Sequence, residues 1–271
     1  MPEGDSVYQL SQRLQFLVGQ QVTATSLRVP RYATVRFDGL TCQRVWPYGK
    51  HLFMEFGQED TAPPGSCPQI LHTHLKMEGV WQAYRTGERW RKPGYTARVV
   101  LEFDAVQVVG FSLGLVEVFP SRDYADRMSY LGPDLLGEWG ETERATAIAN
   151  IAARPERTIG QALLDQTNLA GIGNEYRAEM CFLLGVHPAS LVRAVDVSAA
   201  VDLGRKLLWA NRNEPIRSAT GSHYRGETDY VFGRNHHPCR RCGTLIEKSE
   251  LGEDSPERII WWCPHCQPLL K

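Results

Sequence analysis

The sequence predicts an α+β protein in three parts, namely an N-terminal antiparallel β-domain with a flanking helix, a helical domain and a C-terminal hairpin. Short runs rich in β-branched and aromatic residues follow one another from Gln21 to about Phe119, without a helical pattern between them. Helical periodicity replaces them over residues 141–211. From about Tyr230 the chain has the pattern of two thin hairpins around two Cys-x2-Cys pairs.

The first helix is predicted over residues 5–18, where Val7, Leu10, Leu14 and Leu17 recur at helical spacing. The β-domain follows with eight or nine strands, including the run TVRF at 34–37. So many strands without intervening helices indicate an antiparallel sandwich or a barrel-like domain.

A composition shift and the Gly132-Pro133 breaker predict a linker over residues 121–136. Four helical stretches are then predicted, at 141–154, 159–166, 175–184 and 197–211. The resulting domains are 1–120, 137–229 and 230–271, with the linker between the first two.

Composition excludes several classes of protein. Of the 271 residues, 42% are apolar and 23% charged, which is ordinary for a globular chain. The most apolar stretch, residues 99–119, is interrupted by Glu102, Asp104 and Glu117, so no membrane span is expected. The start MPEGDSVYQL lacks the features of a secretory signal, and we expect a cytoplasmic protein.

Charge is unevenly distributed along the chain. The net charge is −1, but residues 205–248 contain nine Lys or Arg against four Asp or Glu. A local excess of this kind is typical of a face that binds a polyanion, and equally of a solvated surface.

Four of the seven cysteines form the pattern Cys239-x2-Cys242-x20-Cys263-x2-Cys266. In a cytosolic chain such spacing favours a metal over disulfides, because each Cys-x2-Cys turn aims two thiolates at one point. Four thiolates complete a tetrahedron around zinc and leave no open position. We therefore predict one structural Zn²⁺.

The N-terminus is a candidate for covalent chemistry. Removal of Met1 would give Pro2 a free secondary amine, and an α-amine is more often unprotonated at neutral pH than a lysine. Such an amine forms a cationic iminium with an aldehyde or acetal carbon. Glu3 beside it can move protons. Alone, Met-Pro-Glu is also an ordinary start of a chain.

Other candidates stand in loops. Lys50 lies in the predicted turn Tyr48-Gly49-Lys50-His51, where a solvated charge is the alternative. His72 and His74 share a strand face, as partly buried histidines or a metal pair. Lys76 and Met77 follow in a predicted loop, where a methionine can act as a wedge into a base stack.

A phosphate seat is predicted further along the chain. Gly171-Ile172-Gly173-Asn174 leads into a predicted helix, whose first N–H groups, with Asn174 as cap, can hold a phosphate. Arg258 is predicted at the tip of the cysteine hairpin, where its planar fork suits a phosphate. A plain helix–turn–helix and a surface arginine are the alternatives. Because Gly171-x-Gly173 follows a helix, a dinucleotide site is not indicated, and no organic cofactor is expected.

Taken in order, the motifs resemble the formamidopyrimidine-DNA glycosylase/endonuclease VIII family over nearly the whole chain. The Pro-Glu-Gly start is more similar to the endonuclease VIII branch. The resemblance rests on six segments: Pro2-Glu3-Gly4, Gly49-Lys50, His74-Leu75-Lys76-Met77-x-Gly79, Leu131-Gly132-Pro133-Asp134, residues 164–174 and the four-cysteine hairpin.

The resemblance implies a β-sandwich, a helix–two-turn–helix domain and a zinc finger, with damaged DNA in the cleft between domains. It implies catalysis by Pro2, Glu3 and Lys50, phosphate binding by His74, Asn174 and Arg258, and filling of the flipped-base gap by Lys76-Met77-Glu78. We expect a monomeric bifunctional glycosylase/AP lyase that removes oxidised pyrimidines. The alternatives are preference for oxidised purines or abasic sites, and a zinc-containing lesion-binding protein without catalysis.

The chain departs from the family pattern at two places. A second acid often follows Glu3 by a few positions, whereas this chain has Asp5 and Ser6 there. Glu78 stands where endonuclease VIII often has an aromatic residue.

Overall fold

The computed structural model describes residues 2–58, 67–251 and 259–270. The chain divides into two compact units. The β-unit contains Pro2 and Ser6–Ser129, and the helical unit contains Glu3–Asp5 and the chain from Tyr130 onward. In helix α1 (Gly4–Arg13), Gly4 and Asp5 thus belong to the helical unit, and the helix from Ser6 onward belongs to the β-unit.

The β-unit contains two antiparallel four-stranded sheets, with strand orders β1-β6-β7-β5 and β2-β3-β4-β8. The strands are β1 (Ala24–Leu27), β2 (Thr41–Tyr48), β3 (His51–Gly57), β4 (Gln69–His74), β5 (Val80–Arg85), β6 (Ala97–Glu102), β7 (Val106–Phe111) and β8 (Leu115–Pro120). Because the two sheets are separate, the sandwich is confirmed over the barrel-like alternative.

The core of the β-unit lies where α1 and one face of each sheet meet. Val7 and Leu10 of α1 join Leu101 of the first sheet and Met54 and Phe56 of the second in one buried cluster. Burial of apolar side chains at about 25 cal/mol per Å² is the main stabilising contribution of such a cluster. The helical spacing seen at the start of the sequence therefore reflects attachment of α1 to the sandwich.

The run at 34–37 is not a strand, so that expectation is wrong. Phe37 is nevertheless fully buried, with its ring stacked on Phe56 at 4.5 Å between centroids. Its backbone N–H donates to Thr25 Oγ1 at 2.9 Å. The apolar pattern there marks one anchored loop residue rather than strand pairing.

The helical unit is built around a central helix. α5 (Asn174–Leu184) contacts α4 (Ile159–Leu164), α6 (Val197–Asn211) and β10 (Ile259–Trp262), and α3 (Glu141–Ala152) packs on α6. β9 (Glu247–Glu250) pairs with β10 in an antiparallel hairpin. All four predicted helical stretches are present within a few residues of the expected ends.

The predicted linker contains a 3₁₀ turn at Ser121–Asp123 and the short helix α2 (Tyr124–Met128). The domain boundaries themselves stay a prediction. The other 3₁₀ turns are Gln15–Leu17, Pro30–Tyr32, Gly94–Thr96 and Val192–Ala194. Among the described residues, no helix has the length and hydropathy needed to cross a bilayer.

Candidate active site

The N-terminal dipeptide precedes α1, and its two side chains differ in burial. Pro2 is half-buried, whereas the Glu3 side chain is fully buried, at 0% exposure. A buried carboxylate is unfavourable unless hydrogen bonds or opposite charges compensate for lost hydration. The surroundings of Glu3 therefore decide its protonation state.

The Glu3 carboxylate is held at the N-terminus of α5. Its oxygens accept hydrogen bonds from the backbone N–H groups of Gly173 at 2.7 Å, Glu175 at 2.8 Å and Tyr176 at 3.4 Å. These are among the N–H groups that a helix start leaves without partners inside the helix, and the helix dipole favours negative charge there. Glu3 is thus stabilised as an anion.

Two glycines allow this close approach. A Cβ on Gly173 would lie 2.5 Å from Glu3 Cδ, so a larger residue would displace the carboxylate. Gly171 has φ +116° and accepts a hydrogen bond from Gly4 N at 2.8 Å. The two glycines of the Gly-x-Gly pattern therefore make room for Glu3 and bind Gly4 in the N-terminal segment.

Arg217 joins the carboxylates around Glu3. Its guanidinium donates to Asp5 through Nε at 2.7 Å and also through Nη2, and to Glu175 Oε2 at 2.8 Å. Its Nη1 lies 3.7 Å from Glu3 Oε1. Although burial works against its charge, these carboxylates raise the pKa of Arg217 well above its ordinary value. We call Glu3, Asp5, Glu175 and Arg217 the acid–arginine cluster.

Glu175, a member of the cluster, and the adjacent Tyr176 both have raised pKa values. Burial raises the pKa of Glu175 to about 7, against the opposing effect of Arg217, with Glu3 adding to the rise. Burial and the nearby Asp5 raise the pKa of Tyr176, whose hydroxyl donates to Asp5 Oδ2 at 2.9 Å. Asp5 therefore lies beside Glu3 with defined partners. In the sequence, Arg217 is marked only by its place in the basic stretch at 205–248.

The predicted phosphate seat at Asn174 is only partly correct. α5 begins at Asn174, as expected, but Gly173 is the N-cap, and three of the N–H groups at this helix start bind Glu3 rather than standing open to a phosphate. Asn174 is 5% exposed, and its Oδ1 accepts a hydrogen bond from Arg177. Because Oδ1 is an acceptor here, Nδ2 is the part of the side chain that can donate to a phosphate.

Lys50 occupies a two-residue turn with Gly49, between β2 and β3. Gly49 has φ +54°, which suits a tight hairpin turn. The Lys50 side chain is buried, at 7% exposure, so the alternative of a solvated surface charge is wrong. His51 directly after it pairs with His74 across β3 and β4.

The loop after β4 has an exposed methionine. Lys76 takes a left-handed conformation at φ +53°, and its N–H donates to His74 Nδ1 at 2.9 Å. Met77 is 59% exposed, whereas most large apolar side chains of this unit are buried. Gly79 N donates to Leu75 O at 2.9 Å and closes the loop. The loop therefore presents Met77 on a short, hydrogen-bonded turn.

The four predicted cysteine ligands come together. Sγ of Cys239 lies 4.0 Å from Sγ of Cys266, Sγ of Cys242 lies 3.5 Å from Sγ of Cys263, and all four lie within 4.8 Å of one another. Tetrahedral zinc with Zn–S bonds of about 2.3 Å separates its sulfurs by about 3.8 Å. The cluster fits a metal ion, and all seven cysteines are free thiols.

The cysteine hairpin is tied to α5. Glu179, fully buried, accepts hydrogen bonds from the backbone N–H groups of Tyr230, Val231 and Phe232 at 2.8–2.9 Å. Burial raises the pKa of Glu179 to about 7, although these three N–H groups oppose the rise. The predicted phosphate ligand Arg258 lies outside the described residues. Elsewhere in the described ranges, His72 and His74 belong to no group of three or more metal-binding side chains.

Comparison with known proteins gives a consistent result. Residues 1–112 match the formamidopyrimidine-DNA glycosylase N-terminal domain, and residues 131–220 match the formamidopyrimidine-DNA glycosylase H2TH domain. A "Probable endonuclease 8 2" of Streptomyces coelicolor is 42% identical over 98% of this chain and 94% of its own length. A "DNA-(apurinic or apyrimidinic site) lyase Nei2" of Mycolicibacterium smegmatis is 40% identical over 98% and 99%.

Solved structures share the fold. The Lactococcus lactis Fpg in complex with a THF-DNA and an inhibitor has a TM-score of 0.80 at 21% identity, over 98% of this chain and 99% of that chain. The same Fpg bound non-covalently to DNA that contains an AP site has a TM-score of 0.79 at 22% identity, with the same coverage.

Proposed function

The chain belongs to the formamidopyrimidine-DNA glycosylase/endonuclease VIII family, and from that premise we propose that it is a bifunctional DNA glycosylase and AP lyase of base excision repair. It removes oxidised pyrimidines from damaged DNA and then cuts the strand at the abasic site. The single observation that carries the proposal is the anionic Glu3 seated on α5 directly after Pro2 in the chain.

In the proposed reaction, the Pro2 nitrogen bonds to C1′ of the damaged nucleotide, and the glycosidic bond breaks. The departing base takes a proton, the C1′–O4′ bond opens as O4′ takes the proton that the amine loses, and a cationic iminium results. Glu3 accepts and returns protons during these steps, because it is held as a carboxylate. Loss of a C2′ proton then expels the 3′ phosphate, and water releases the sugar from Pro2.

Several other residues bind DNA in this proposal. Lys50, His74, Asn174 and Arg258 bind phosphates near the lesion, and Lys76 and Met77 fill the gap of the flipped nucleotide. Flipping a base requires a few kcal/mol, which backbone contacts and an inserted side chain offset. The exposure of Met77 and the fixed loop beneath it support this role.

The proposed enzyme contains one structural metal ion. One Zn²⁺ held by Cys239, Cys242, Cys263 and Cys266 stabilises the hairpin, since two short strands are marginal alone. All four ligand positions would be filled by thiolates, so the ion takes no part in chemistry. The enzyme acts as a monomer in the cytoplasm, at the nucleoid in a bacterial cell.

An AP lyase that acts on abasic sites without base excision is the second candidate, because the relative from M. smegmatis is named for that lyase activity. Duplexes with thymine glycol, 8-oxoguanine or a preformed abasic site separate the two. Cleavage of the abasic duplex alone favours the second candidate, and the 8-oxoguanine duplex reports a preference for oxidised purines.

Borohydride trapping tests the role of Pro2. Reduction during turnover of abasic DNA should give a covalent complex whose crosslinked peptide contains residue 2. A protein with two extra residues before Pro2 should form no complex, because its Pro2 nitrogen is an amide. The same extension placed at the C-terminus is the matched control. Equal trapping by both extended proteins contradicts the assignment.

A further inference from the structure

A row of hydrogen-bonded side chains, Glu117, His72 and His51, crosses the second sheet below the Lys50 turn; the two histidines are buried and Glu117 is partly exposed. Glu117 on β8 lies opposite His72 on β4, and its Oε2 is 3.1 Å from His72 Nδ1. His72 Nε2 is in turn 2.8 Å from Nδ1 of His51, the first residue of β3. His51 and His72 are 8% and 2% exposed, so each ring requires a hydrogen-bond partner.

The hydrogen bonds fix the protons on these rings. An ionised carboxylate only accepts, so His72 carries its proton on Nδ1 and leaves Nε2 bare. His72 Nε2 therefore accepts from His51 Nδ1–H, and Nε2 of His51 is bare in turn. His74 has the opposite arrangement, because its Nδ1 accepts the Lys76 N–H and its proton is on Nε2.

The surroundings keep these rings neutral. Burial lowers the pKa of His51 and of His74 to about 3, and His72 together with the ammonium groups of Lys50 and Lys76 adds to both effects. Burial and the nearby Arg127 lower the pKa of His72 to about 4. A neutral imidazole has one donor and one acceptor, so its tautomer determines what it offers a neighbour.

We propose that Glu117 and His72 are positioning residues that lock His51 with its Nε2 as an acceptor for the Lys50 ammonium. Lys50 has three N–H donors in a buried turn, and its charge acts on both His51 and His74. The edge of the sheet then presents an oriented cation beside a neutral donor, His74 Nε2–H, which together suit a phosphate oxygen. This inference rests on the proposed function, since it assigns Lys50 and His74 to DNA.

Ring packing supports a fixed orientation of the His72 and His51 side chains. The His72 ring stacks on Phe53 at 4.6 Å between centroids, and His51 meets His74 edge to face at 4.8 Å. Apolar side chains at these positions would avoid the unfavourable desolvation of three polar groups. The hydrogen-bonded row of Glu117, His72 and His51 is therefore better explained by its effect on the orientation of Lys50 than by a contribution to stability.

The test compares Glu117→Leu with the control Glu55→Leu. Glu55 lies on β3 of the same sheet, opposite Ile70. Single-turnover strand cleavage on abasic DNA should fall about tenfold in E117L, the effect of one lost hydrogen bond, and remain unchanged in E55L. Glu117→Gln should restore most of the rate, because its amide oxygen can still accept from His72.

Ring-nitrogen NMR of histidine-labelled protein supplies a readout that does not depend on activity. Wild type should show bare Nε2 on His51 and His72 and bare Nδ1 on His74, and E117L should lose this pattern at His51. A protonated Nε2 on His51 in wild type, or equal cleavage rates for E117L and E55L, overturns the inference.

Two further outcomes are separable. A wild-type protein without activity on any damaged duplex contradicts the proposed function. The NMR pattern still decides whether Glu117 and His72 fix the tautomer of His51. If E117L does not fold, E117Q decides alone. In E117Q, a wild-type histidine NMR pattern together with a wild-type cleavage rate supports the inference. A reversed His72 tautomer at the full cleavage rate overturns it.

Discussion

Removal of the Arg217 side chain should destabilise the helical unit strongly. The guanidinium is 13% exposed, and it is the cation of the acid–arginine cluster, which also holds three carboxylates. In Arg217→Ala, Asp5 and Glu3, at 2% and 0% exposure, would keep buried charge without that cation. Breaking a buried ion pair from one side costs about 3–5 kcal/mol. Since domains are stable by about 5–15 kcal/mol, the loss is a large share of the total.

The loss should depend on pH in a defined direction. In wild type the pKa of Glu175 is raised to about 7, above the unfolded value near 4.5, so the folded state binds more protons between these values. Stability from this group therefore falls as pH rises from about 4.5 to 7. Without Arg217, which opposes the rise in the pKa of Glu175, this carboxylate binds a proton more readily still. The difference between wild type and R217A should thus be larger at pH 8 than at pH 5.5.

Hydrogen exchange provides a local assay. The amides of Gly173, Glu175 and Tyr176 are protected by Glu3, so their exchange reports the opening of this cluster rather than of the β-unit. Arg193→Ala is the matched control, because Arg193 pairs with Glu156 on the exposed surface of the same unit, and such pairs contribute at most about 1 kcal/mol. Equal protection in the two variants at pH 8, or a larger effect of R217A at pH 5.5, would refute the reasoning.

Two further predictions concern metal and pH. Metal analysis should find one zinc per chain, and a chelator should lower the thermal midpoint and expose the amides of residues 230–232, whereas near-zero zinc in a fully active protein would count against the site. Acid should destabilise the β-unit, because His51 and His72 have pKa values of about 3 and 4 when folded and near 6.5 when unfolded, so stability is lost as pH falls below 6.5, by about 2 kcal/mol for each ring at pH 5. The His51→Gln variant should lose less stability between pH 7 and pH 5 than wild type, measured by denaturant unfolding.

Local patterns predicted the elements of the fold well. The helix at the N-terminus and the four helices after residue 140 have periodicity that their buried faces explain, and the cysteine spacing located the metal-binding cluster. The strand expected at 34–37 was wrong, because a single buried aromatic residue in a loop produces the same short apolar pattern as a strand. A pattern of four residues does not distinguish a strand that pairs in a sheet from a loop with one buried aromatic side chain.

The basic stretch at 205–248 shows what charge counting misses. Arg217 is buried among carboxylates, Arg240 donates to Asp229 O and Gly226 O, and Arg234 donates to Tyr230 O and Pro238 O. Several of these charges therefore stabilise the helical unit itself. A sequence count cannot separate such arginines from ones that are free to bind a phosphate.

The site at α5 depended on contacts that span most of the chain. The Gly-x-Gly-Asn pattern correctly marked a helix start that can bind an anion, but that anion is the carboxylate of Glu3, about 170 positions earlier. The N–H groups of Gly173, Glu175 and Tyr176 cannot also hold a phosphate, so the proposed phosphate contact of Asn174 does not use them. Asp5 is likewise engaged by Arg217 and Tyr176. Its carboxylate is therefore held by two partners, and in the proposed reaction Glu3 is the acid–base group at the N-terminus.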